Sequence, residues 1–171
     1  MTGRIVDDRA ISVSVHRARY TPIVSTIVGS LLATLPLIVD HPWLPPFGLL
    51  VLLSWRLLRQ ELWPVWAAFP LGLFDDLTSG QSLGTAATLW PVCFILIDIV
   101  ERRLIWRDYW IDWLIAAIAV AICLCGGWAW AAIAGSAINP GAILPQYALS
   151  ILFIPATMRV CAMLDHWRLR T

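Results

Sequence analysis

Apolar residues run through the chain in six blocks, 22–39, 46–58, 63–77, 83–105, 110–134 and 143–164. Short breaks rich in arginine, aspartate, proline and glycine separate them. Each block predicts a helix. At the helical rise of about 1.5 Å per residue, the first and the last three reach about 27–37 Å, enough to cross a bilayer. The second and third reach only about 20–22 Å, so they either tilt in a thinned bilayer or fold as a re-entrant hairpin. Pro36, Pro70, Pro91 and Pro155 fall inside blocks and should kink them, since each removes an amide donor.

Composition fixes the solvent. With 60% hydrophobic and 13% charged residues and a mean hydropathy of +0.77, the chain lacks the residues for a soluble domain's surface. The expectation is an all-α integral membrane protein: a compact bundle of six transmembrane helices with both termini cytoplasmic. One membrane domain, 22–164, lies between a cytoplasmic N-terminal segment, 1–21, and a cytoplasmic tail, 165–171. No cleavable signal peptide is expected, because the first apolar run is long and lacks a small-residue cleavage site.

Charge gives the sidedness. The chain has twelve arginines and no lysine. Arg4, Arg9, Arg17 and Arg19 precede the first block, and Arg56 and Arg59 mark the second break. Arg102, Arg103 and Arg107 mark the fourth, and Arg159, Arg168 and Arg170 close the chain. Breaks 40–45, 78–82 and 135–142 contain none, so they are expected outside under the positive-inside rule. Trp55, Trp63, Trp66, Trp106, Trp110, Trp113 and Trp167 are expected as a cytoplasmic interfacial belt, with Trp43, Trp128 and Trp130 toward the other face. Ser25, Gly29 and Ala33, and Gly127, Ala131 and Gly135, recur every four positions and suit close helix packing, within the bundle or against a partner helix.

The candidate chemistry is sparse. Asp75 and Asp76 end the third block, where a carboxylate at membrane depth costs about 2.5–3.5 kcal/mol. They either serve a function or cap a turn at the water interface. Adjacent residues on a helix diverge by about 100°, so the two cannot share one catalytic water. The glycine–any–glycine–aspartate signature of presenilin-like proteases is absent, and His16, His41 and His166 lie outside the blocks or at their edges. Cys93, Cys123, Cys125 and Cys161 form no metal-ligand pattern and read as packing residues. No enzyme, cofactor or nucleic-acid partner is expected. Asp98, Glu101 and Arg102 form a second polar cluster: Asp98 and Arg102 share a helix face and can pair, with Arg56 and Arg159 as alternative counter-charges. Simple snorkelling at the interface would also account for them.

The stretch Gly72-x-x-x-Asp76-Leu77-x-Ser79-Gly80-x-x-Leu83-Gly84 resembles the signature of the bacterial rod shape-determining MreD family. The run Pro46-x-x-Leu49-Leu50-Val51-Leu52-Leu53-x-Trp55 resembles that family's second span, and chain length and arginine placement fit as well. The resemblance implies a non-enzymatic, multi-pass component of the bacterial inner membrane that supports MreC and lateral peptidoglycan synthesis, thereby maintaining cell shape. The implied partners are membrane lipid, an MreC-like protein and a wider complex of MreB, RodA and a penicillin-binding transpeptidase. The motif positions carried over are Gly72, Asp76, Leu77, Ser79, Gly80, Leu83 and Gly84; Asp75 is an extra acid where an apolar residue is expected. Asp76 can accept hydrogen bonds from amides around Gly80 or Gly84, where the next helix starts and an anion is favoured. The alternative is the substrate-capture membrane subunit of an energy-coupling-factor vitamin transporter, also a small six-helix bundle.

Overall fold

The computed structural model describes residues 20–32, 44–60, 63–80, 82–103, 108–135, 141 and 143–169. These form six α-helices and no strand. They are α1 (Tyr20–Leu32), α2 (Phe47–Leu58), α3 (Ala68–Ser79), α4 (Thr85–Glu101), α5 (Tyr109–Ile133) and α6 (Ile143–Leu169). Each lies on one predicted block. Helix α3 begins later than its block because Pro64 and a 3-10 turn, Val65–Ala67, occupy the start. Pro70 therefore falls in the first turn of α3, where no intrahelical amide is lost and no kink is required. Pro91 and Pro155 do sit inside α4 and α6, whereas Pro36 lies outside the described residues. Residues 165–169, read from sequence as tail, are the last turn of α6.

Two helices, Tyr109–Ile133 and Ile143–Arg168, are long and apolar enough to cross a membrane. The middle of the bundle is α2. Gly48, Leu49, Leu50 and every residue from Leu52 to Leu57 are buried, as expected of a helix apolar on all faces. Around it, the other helices turn apolar side chains outward: Val24 and Val28, Phe69 and Leu73, Ile95 and Ile99, Leu114 and Ile118, Leu152 and Met163.

Successive helices reverse direction. Gly29 of α1 lies against Phe47 and Gly48, while Ser25 meets Trp55, so α1 runs antiparallel to α2. Gly72 meets Ala86 and Asp76 meets Gly84, which sets α3 antiparallel to α4. Leu89 meets Gly126 and Cys93 meets Ala119, which sets α4 antiparallel to α5. Among α2 to α6, helix α2 packs mainly on α6, and α3 mainly on α4. The two short helices therefore do not pair as a hairpin with each other.

Two packing expectations are corrected. Trp55 is fully buried and donates from Nε1 to Ser25 Oγ at 2.8 Å, and Trp63 is buried too, so neither belongs to a surface belt. Trp66, Trp110, Trp128, Trp130 and Trp167 are exposed, as a belt requires; Trp43 and Trp106 lie outside the described residues. On α5 the tight contact is at Gly126, where a Cβ would come within 2.7 Å of Leu89, and not at Gly127, which has ordinary contact with Thr85. Gly29 packs against α2, so that stripe serves the bundle itself; Ala33 lies outside the described residues.

Candidate functional site

The signature residues meet at the junction of α3 and α4. A helix start leaves four backbone amides without intrahelical partners. In α4 these belong to Gly84, Thr85, Ala86 and Ala87, and the N-cap position is Gly84, which has no side chain to offer. Asp76 replaces the missing cap from the neighbouring helix. Its Oδ1 accepts from the Ala86 amide at 2.8 Å, and its Oδ2 accepts from Gly84 at 2.9 Å and Ala87 at 3.1 Å. The Thr85 amide donates to the Ser82 carbonyl at 3.1 Å, and the helical ladder begins with Thr88 donating to Gly84. Every orphan donor is satisfied. The carboxylate is 1% exposed, and its charge lies against the positive end of the α4 dipole.

The glycines make this cap possible. Gly72 is one turn before Asp76 on the same face of α3. A Cβ there would lie 2.6 Å from the Ala86 carbonyl oxygen and 2.8 Å from the Ala87 nitrogen. A side chain at 72 would push α3 away from the start of α4 and stretch the hydrogen bonds of Asp76. Gly80 ends α3 at φ 68°, and Gly84 opens α4 at φ 96°, left-handed conformations that favour glycine. Leu77 and Leu83 flank the turn and point outward, each 66% exposed. Ser79 carries a buried hydroxyl with no hydrogen-bond partner.

Asp75 faces a different way. It turns toward α2, where its Oδ1 would lie 2.7 Å from a Cβ on Gly48, with the Ser30 hydroxyl of α1 also against that position. Glycine at 48 is what lets α1, α2 and α3 converge there. The two adjacent acids thus serve two junctions: Asp76 caps α4, and Asp75 lies beside the first turn of α2, where an anion is also favoured.

At the opposite end of the bundle, charged side chains tie the C-terminal ends of α2, α4 and α6. Buried Arg56 pairs with Asp98, lies 3.5 Å from Glu101, and stacks over the Phe94 ring at 5.7 Å. Of the counter-charges the sequence offered, Arg56 is the one that reaches these acids, and not Arg102 or Arg159. Arg102 is exposed in the turn after α4, and Arg159 is exposed on α6 without reaching the acids. Asp98 and Glu101 lean inward because α2 supplies a buried cation. Alongside, Asp165 receives Arg59 at 3.0 Å and Arg168 at 2.6 Å, and Arg168 lies over Trp55 at 5.2 Å. Sequence reasoning missed this second cluster. Its legible trace was Asp165 three residues before Arg168, a spacing that puts both on one helix face.

Among the described residues, no group of histidine, cysteine and acidic side chains is placed to hold a metal. Compared with known proteins, the chain matches no family model, no curated protein and no solved structure.

Proposed function

We propose that this chain is a non-enzymatic, multi-pass protein of the bacterial inner membrane that supports an MreC-like partner in the complex building lateral peptidoglycan. The observation that carries this reading is the convergence of the MreD-like signature on one junction. Gly72, Asp76, Gly80 and Gly84, scattered over thirteen positions, together fix how α3 meets α4. A signature that builds a rigid turn and leaves Leu77 and Leu83 exposed beside it suits a scaffold that presents a surface. It is not an arrangement that positions a nucleophile or a general base.

The six-span topology, with both termini in the cytoplasm, is part of the same proposal. It is supported by the alternation of helix direction and by the outward apolar faces. It is also supported by the gathering of Arg56, Arg59 and Arg168 at one end of the bundle, with the arginine-free α3–α4 turn at the other. Compartment reporters fused at Gly80 and after Thr171 should give opposite signals.

The partner reading is tested by co-purification from membranes with the MreC-like protein, without added small molecule. The complex should survive high salt if few charges lie at the contact. In cells, depletion should convert rods to spheres. A chain that ignores the MreC-like protein and instead retains a vitamin through purification would replace this reading with the transporter subunit.

A further inference from the structure

Cys93 of α4 and Cys123 of α5 face each other with their sulfurs 3.3 Å apart, in hydrogen-bond contact and unlinked. Their approach is fixed on both sides. One turn toward the start of α4, Gly126 lets α5 close on Leu89; one turn earlier in α5, Ala119 leaves room for the Cys93 sulfur at 3.7 Å from its carbonyl. A disulfide needs sulfurs at about 2.05 Å, so closing this pair draws them together by about 1 Å. Cys125 is exposed and Cys161 is buried against α2, so neither competes for this contact.

A shallow groove runs between α4 and α5 and has Cys93 in its wall. The remainder is aliphatic, including Leu96, Ile97, Ile115 and Ile118. Leu96 and Ile118 are exposed on the outer face, so the groove opens there, on the side that faces lipid in the proposed topology. Cys93 itself is 1% exposed. A charged oxidant such as glutathione disulfide would have to shed its water to enter this aliphatic lining, whereas a flat, apolar molecule would not.

We propose that Cys93 and Cys123 form an oxidisable dithiol, closed to an interhelical disulfide by a lipid-soluble two-electron oxidant of the quinone class that reaches Cys93 along this groove. Two S–H bonds break and one S–S bond forms. The two electrons and two protons pass to the quinone oxygens, which leave as the hydroquinone. The product locks α4 to α5 midway along their contact.

The test uses the full chain, reduced, in lipid nanodiscs without oxygen, with a short-tailed ubiquinone as probe. One equivalent of hydroquinone should form per chain, the intact mass should fall by two hydrogens, and peptide mapping should join Cys93 to Cys123. A chain carrying Cys125→Ser and Cys161→Ser should react identically, while Cys93→Ser or Cys123→Ser should abolish the reaction. Ile118→Trp, which narrows the groove from its lipid side, should slow it. The proposal is overturned if saturating quinone leaves the pair reduced, or if the bond formed involves Cys125, Cys161 or a second chain. It is equally overturned if Ile118→Trp leaves the rate unchanged.

Discussion

Replacing Asp76 by alanine strips the start of α4 of three hydrogen-bond acceptances at once. An ordinary exposed cap is worth about 0.5–2 kcal/mol. Here two of the three donors, Ala86 and Ala87, are buried. Leaving a buried donor unpaired costs about 1–3 kcal/mol each, while Gly84, at the rim of the turn, can recover water. The expected loss is therefore about 2–6 kcal/mol, at or above the top of the range of a simple cap, with the first turn of α4 frayed. Asp76→Asn should fall between wild type and alanine. Its single oxygen can serve two amides, but its NH₂ then faces the third, donor against donor. Reversible unfolding in mixed detergent gives the free energies, and hydrogen exchange at Ala86 and Ala87 gives the local effect. The reasoning fails if Asp76→Ala lies within about 0.5 kcal/mol of wild type, the range typical of an indifferent surface change. It fails equally if Asp75→Ala proves the more damaging of the two.

Gly72→Ala should destabilise by about 1–3 kcal/mol, because the new Cβ strikes rigid backbone at Ala86. Gly126→Ala should cost clearly less in the same unfolding assay, since it meets only the movable tip of Leu89. Arg56→Ala should cost about 3–5 kcal/mol by stranding two acids, and adding Asp98→Asn and Glu101→Gln should recover part of that loss. Gly80→Ala and Gly84→Ala meet no neighbouring atom, so each should cost only the strain of a positive φ, about 1 kcal/mol. A loss as large as that of Gly72→Ala would mean that contacts, not backbone conformation, decide those positions.

The sequence by itself determined the helices and the turn between α3 and α4. Those signals are local: block length, proline and glycine breaks, and an acid eight residues before the glycine that opens the next helix. Asp76 was legible as a cap because an anion near a glycine-led helix start has few other uses. Tertiary structure alone decided which side chains face inward. It put α2 at the centre with Trp55 inside, gave Asp98 to Arg56 instead of Arg102, turned Asp75 to Gly48 and moved the α5 seam to Gly126. The physical reason is that these helices are apolar on nearly every face. In a soluble protein the polar stripe marks the outside, but here the outward residues are leucine, isoleucine and valine like the inward ones. Periodicity therefore carries little information about orientation. Which face meets which neighbour is set by where glycine and alanine allow close approach, and by which buried charge finds its partner across the bundle.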